Sequence, residues 1–136
     1  MPQKNVEIVR SAFDGVADRS LDDTAETFWH SEITYVEDPR WPGASTYRGR
    51  DAVLRCFKGY TESLGREEDF VVSVERVLDA GARQVALVRF QSRASASGLP
   101  HEHLWAFVVE VEDGRLMHFR AYYEPAEALE ALGLSD

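Results

Sequence analysis

Cysteine is almost missing from this chain. Cys56 stands alone among 136 residues, which excludes an intramolecular disulfide framework. Long apolar runs are missing too. The longest strongly apolar stretch, Leu104 to Val109, is far too short to cross a bilayer. The opening Met1-Pro2-Gln3-Lys4-Asn5 carries no apolar signal core. Positive charge is scarce, with 15 Lys and Arg against 24 Asp and Glu and a formal net charge of −9. Phosphate binding needs clustered basic residues, so a nucleic-acid partner is not expected. The same charge disfavours an anionic membrane surface. There is no phosphate-cradling glycine loop, no serine-centred nucleophile elbow and no dinucleotide fingerprint. The expectation is a cytoplasmic protein without a cofactor and without a nucleic-acid or membrane partner.

What is present is ordinary for a globular chain. Hydrophobic residues at 44% and charged residues at 29% argue against disorder, and the length suits one domain spanning residues 1–136. Asn5 reads as an N-cap, with Val6, Val9, Phe13 and Val16 at helical spacing to about Asp18. Ser20 with Asp23 three residues later opens a short second helix that buries Leu21, Ala25 and Phe28. Ile33 to Asp38 reads as a strand stopped by Pro39, and Arg40 to Arg48 as a loop. A third helix from near Gly49 presents Val53, Leu54, Phe57 and Leu64 on one face, and Gly65 ends it.

The period then changes to two. Phe70 to Leu78, Gln84 to Arg93, Leu99 to Glu112 and Leu116 to Tyr123 read as long antiparallel strands. A last helix carries Ala126, Leu129 and Leu132 and ends at Gly133. Asp113-Gly114 is a strong hairpin signal. Taken as a two-residue turn, it sets Val108 opposite Phe119, Ala106 opposite Ala121 and Leu104 opposite Tyr123, with Glu102 on the same pocket-facing side. Trp105, Phe107, Val109 and Tyr122 then share the outer side. Left bare, they would form an apolar patch that a second copy of the chain should cover, so a homodimer is expected. The fold class is α+β: a cone-shaped, strongly bent antiparallel sheet whose N-terminal helices enclose a pocket.

Several segments resemble the SnoaL-like family of the nuclear-transport-factor-2-like superfamily, which includes ketosteroid isomerases and polyketide cyclases. These are Phe28-Trp29-His30-Ser31-Glu32, Tyr35-Val36-Glu37-Asp38-Pro39, Thr46-Tyr47-Arg48-Gly49-Arg50-Asp51-Ala52-Val53 and the ending from Asp113-Gly114-Arg115 through Glu127 to Leu134. The resemblance spans essentially the whole chain and implies a cystatin-like α+β barrel around one small-molecule pocket. Steroid isomerases of the superfamily carry Val-Glu-Asp-Pro at a similar place, where the Asp shuttles a proton beside a carbonyl, so the resemblance marks Asp38. Those enzymes also use a tyrosine of the first helix and a protonated strand aspartate. Here Phe13 and Ala106 stand at the matching places and neither donates a hydrogen bond. Steroid isomerisation is therefore not expected.

Asp38 is the leading catalytic candidate, as a base aimed into the cone. The competing reading is a loop-entry aspartate that holds nearby backbone amides. Glu102 is a candidate general acid opposite it, and Tyr123 a hydroxyl donor to developing negative charge. Phe13, Trp29, Tyr35, Trp41, Phe57, Tyr60, Val88, Phe90, Ala106 and Phe119 are the expected lining, since ligand sites are mainly apolar and aromatic. His101 and His103 have a spacing that could hold a metal, but no third ligand is nearby, so no metal is assigned. Cys56 reads as an inert thiol. The expected function is acid–base chemistry on an apolar oxygenated metabolite such as a polyketide or terpenoid, by isomerisation, cyclisation or dehydration. A non-catalytic module for a hydrophobic ligand and a dimeric scaffold are the alternatives.

Overall fold

The computed structural model describes residues 2–18, 21–41, 43–64, 70–92 and 101–134. Within them the chain runs α1 (Pro2–Asp18), α2 (Leu21–Phe28), β1 (Trp29–Val36), β2 (Thr46–Arg48), α3 (Arg50–Leu64), β3 (Phe70–Asp79), β4 (Gln84–Ser92), β5 (His101–Glu112), β6 (Arg115–Tyr122) and α4 (Pro125–Ala131). The helices lie where apolar residues recur at helical spacing. Val9, Ala12 and Phe13 of α1 are buried, as are Leu21 and Ala25 of α2 and Val53 of α3. Asn5 lies inside α1, because the helix begins at Pro2, a residue well suited to a first helical turn. Ser20 and Gly65 fall outside the described residues.

The strands form one sheet in the order β2-β1-β6-β5-β4-β3. It is curved and does not close on itself. Four of the five pairings are antiparallel, but β1 pairs with β6 in parallel, Tyr35 beside Phe119 and Val36 beside Arg120. The sheet is therefore mixed rather than antiparallel throughout. Thr46–Arg48, expected as loop, is a strand that turns back on β1, with Tyr47 opposite Tyr35. Helices α1 and α3 pack on the inner face, α1 over β3 and β4 and α3 over β1 and β2.

The β5–β6 hairpin corrects the expected register. The turn is as read: Asp113 (φ 55°) and Gly114 (φ 76°) both take the left-handed conformation of a type I′ turn, and Glu112 faces Arg115. One pair later, Val111 faces Leu116 but Glu110 faces His118, so Met117 is an extra residue on β6. Every later pair is shifted by one, and a one-residue shift moves a strand's side chains to the other face. Val109 faces Phe119 and Phe107 faces Ala121, all buried in the main core. Trp105 and Phe107 thus point inward, with Phe90, Val88 and Ala86 of β4. Leu104, Ala106 and Val108 point outward.

The outer face has its own cover. Helix α4 lays Ala128 and Leu129 against Val85 and Ala106, with Leu78, Leu87, Val108 and Tyr122 around them. The helix ends where Gly133 takes φ 70°, its N–H reaching Glu130 O and the Leu134 N–H reaching Leu129 O, a Schellman closure. Of the four residues expected to make an outer dimer patch, Trp105, Phe107 and Val109 are inside, and Tyr122 alone faces out.

Candidate functional site

The inner face is dense with rings. Phe119 stacks parallel to Phe57 at 5.7 Å, lies 4.5 Å from Tyr35, and touches Trp29 and Phe107. Phe13 closes on Phe107 at 5.1 Å, and Phe90 meets Phe107 edge-on at 6.1 Å. Phe13, Trp29, Tyr35, Val88 and Phe119 are buried, with Phe57 and Phe90 half-buried beside them. These seven of the expected lining residues pack on one another. Tyr60 lies outside the described side chains. Ala106 is not among them, because the extra residue at Met117 puts it under α4.

Strands β1 and β6 run in parallel, so both finish at the same end of the sheet, where β5 begins. Asp38 stands two residues past β1, and Tyr123 one residue past β6. Pro39 fixes a turn in which the Trp41 N–H reaches the Asp38 carbonyl at 2.9 Å. In the same turn Asp38 Oδ1 accepts the Arg40 backbone N–H at 2.8 Å. Its Oδ2 accepts the Tyr123 N–H at 2.7 Å, and the Arg40 guanidinium lies 3.1 Å from Oδ2. Asp38 is 2% exposed. Burial pushes its pKa up, but the amides of Tyr123 and Arg40 and the Arg40 charge outweigh burial and hold it below the usual carboxylate value. The geometry is that of an aspartate holding backbone amides.

Asp38, Arg40, Trp41, Trp105 and Tyr123 line a cleft of about 150 Å³. Trp105 meets Trp41 edge-on at 6.1 Å and Tyr123 edge-on at 5.3 Å. His103 stacks flat on Tyr123 at 3.9 Å, and its Nε2 lies 2.7 Å from the Tyr123 carbonyl. Arg40 also pairs with Glu127 of α4, and Glu124 is close enough to act on its charge.

Glu102 belongs elsewhere. It is an exposed residue of the outer face, paired with Arg89 at 3.2 Å, which in turn holds Glu75 at 2.8 Å. The shifted register removes it from the inner face, so it has no reach to Asp38.

A second acidic group escaped the sequence reading. Glu37 is 5% exposed; its Oε1 accepts the Ser45 N–H at 3.1 Å and its Oε2 lies 3.7 Å from Cys56 Sγ. The Tyr47 side chain hydrogen-bonds to both Cys56 and Glu37. Burial first, then these two neighbours, push the Tyr47 pKa up to about 12. The signal was available: Ile33, Tyr35 and Glu37 alternate, so whatever face buries Tyr35 receives Glu37. Tyr47 was hidden because its segment read as loop.

A curved six-stranded sheet with helices on its inner face and a polar group at the strand ends defines the class. Residues 9–119 match the SnoaL-like domain family, and the chain belongs to it. An uncharacterized protein, YesE, of Bacillus subtilis is 27% identical over 104 residues, 75% of this chain and 70% of that protein. Bal32a, from a soil-derived mobile gene cassette, superposes with a TM-score of 0.76 at 19% identity, covering 91% of this chain and 92% of its own. A protein of ketosteroid isomerase-like fold from Catenulispora acidiphila, solved in complex with trimethylamine, gives 0.68 at 18% identity, covering 95% and 94%. No helix among the described residues is long and apolar enough to cross a membrane.

Proposed function

We propose that this protein holds a small organic molecule in the cleft between Trp41, Trp105 and Tyr123, and that binding rather than proton transfer is the work of that cleft. The observation that carries the reading is the Asp38 carboxylate, whose oxygens are engaged by the Tyr123 and Arg40 amides and the Arg40 guanidinium. A carboxylate held ionised below its usual pKa is a weak proton acceptor at neutral pH. Aromatic walls with one anchored polar group are the common make-up of ligand sites. The cleft's roughly 150 Å³ is under the ~300 Å³ at which sites for drug-sized ligands begin, so the occupant is compact. The trimethylamine held by the Catenulispora protein supports small-molecule occupancy of this fold. Native mass spectrometry of protein purified without organic buffers tests the reading. A copurifying small molecule, lost in Trp41→Leu, is expected; an occupant retained unchanged in Trp41→Leu and Trp105→Leu would place binding elsewhere.

A second reading keeps acid–base chemistry on an apolar oxygenated metabolite, by isomerisation, cyclisation or dehydration. It is favoured by Glu37, a buried carboxylate beside a tyrosine kept protonated. Glu37 would take the proton and Tyr47 would donate to the developing oxyanion. Against a panel of cyclic ketones and enols, Glu37→Gln should abolish any turnover and Asp38→Asn should not. Turnover that survives Glu37→Gln removes this reading. A homodimer through the outer face is part of the proposal in reduced form, seated on Tyr122, Val36, Val108 and Leu132 beside α4. Light scattering at micromolar concentration decides it, and a monomeric mass refutes it.

A further inference from the structure

The cleft that the binding reading rests on has a charge and a shape of its own, and these specify a ligand class. Trp105 stands at 62° to Trp41 and at 89° to Tyr123, so the three rings form corners rather than a stack. A guest seated in such a corner meets the electron-rich faces of two rings, the arrangement that attracts an alkylated ammonium ion. The electrostatics of the rim agree. Asp38, Glu124 and Glu127 surround the single Arg40 guanidinium, which is already paired with two of them, so negative charge is in excess. An anion would face that excess and would have to displace Asp38 or Glu127 from Arg40. The whole chain, at −9, adds long-range attraction for a cation. The limited volume favours a head group of a few heavy atoms.

We propose that the Asp38–Trp41–Trp105–Tyr123 cleft binds a small alkylammonium cation, a methylated amine head group being the fitting chemistry. The rings supply the contact surface and the cation–π attraction. Asp38, held ionised by the Tyr123 and Arg40 amides, supplies a fixed negative charge at the floor. The proposal deepens the binding reading and can fail without it.

The test compares three probes of similar bulk at constant ionic strength: tetramethylammonium, tert-butanol and pivalate. Calorimetry measures affinity, and quenching of tryptophan fluorescence locates the event. Tetramethylammonium is expected to bind about tenfold more tightly than tert-butanol, with pivalate weakest. Trp41→Leu should weaken both of the first two, whereas Asp38→Asn should weaken only the cation. Should Asp38→Asn fail to fold, Glu127→Gln at the exposed rim takes its place and should lower cation affinity alone. Equal affinity for tert-butanol and the cation overturns the ammonium preference and leaves a neutral-ligand cleft standing. Preference for pivalate overturns it in favour of Arg40 as the recognition element. No binding of any probe overturns it too, and the copurification experiment then judges the binding reading independently.

Discussion

Asp38 Oδ2 accepts the backbone N–H of Tyr123 at 2.7 Å across 85 residues of sequence. This bond fastens the end of β1 to the end of β6 where the parallel ladder stops, and it makes Asp38 a structural anchor as well as the floor of the cleft.

Asp38→Asn should therefore lower stability at neutral pH, by about 2 kcal/mol, because charge-assisted bonds to two amides and a guanidinium are lost from a buried site. The folded-state pKa lies below the unfolded value of about 3.9. The contribution is then complete above that unfolded value and is lost as pH falls through the folded pKa. Denaturant melts of both proteins at neutral and strongly acidic pH check this. The gap should be wide at neutral pH and should close in acid; a more stable Asn variant at neutral pH would contradict the anchor role.

Tyr47 should be the late tyrosine. Its pKa of about 12 predicts that one phenol ionises well after the usual value of about 10 in a near-ultraviolet titration of the folded protein. Folding protects the neutral phenol, so stability present below about pH 10 is lost as pH rises toward 12. Tyr47→Phe should remove the late step and cost about 1 kcal/mol through its lost hydrogen bonds. An unchanged titration curve in the Phe variant would refute the assignment.

Removal of Met117 tests the bulge. Without it, His118 directly follows Leu116, so the ladder becomes regular while Val109 still faces Phe119 and Phe107 still faces Ala121 on the inner side. The expected outcome is a protein that still melts cooperatively and keeps the near-ultraviolet dichroism of its aromatic core. A deletion variant that loses its cooperative melt would contradict the placing of the extra residue at Met117.

Glu102→Ala should do little. Its partner Arg89 retains Glu75, and exposed ion pairs contribute about 0.5 kcal/mol or less. A loss of binding or turnover in this variant would contradict its outer-face position.

These expectations show where the sequence was legible. Helices α1 and α3, the long strands, the Asp113-Gly114 turn and the aromatic set around Phe119 could be read from period and turn chemistry. The bulge could not be read from Met117, which has no bulge signature, though its consequence had left a trace. In the regular register Trp105, Phe107 and Val109 share a face with His118 and Arg120, an apolar row beside a basic one. One extra residue pairs apolar with apolar. Asp38 was found by motif, but motif alone cannot report which amides a carboxylate meets. Those are fixed by the parallel pairing of β1 with β6, which joins segments with no local signal for each other.

That parallel pairing also governs the order of assembly. Strand β6 sits between β1 and β5, so the β1–β2 hairpin has no neighbour in the sheet until β6 itself has been made. Contacts that close so long a loop are slow to form, since the loss of chain entropy precedes any gain from the pairing. On a ribosome, β3, β4 and β5 can join as a meander while β1, with Trp29 and Tyr35, waits. The final hairpin then completes both the sheet and the cleft, because Tyr123 arrives with β6. A chain truncated before Arg115 would leave two sheet fragments with exposed apolar edges, a species prone to aggregate rather than a smaller version of the protein.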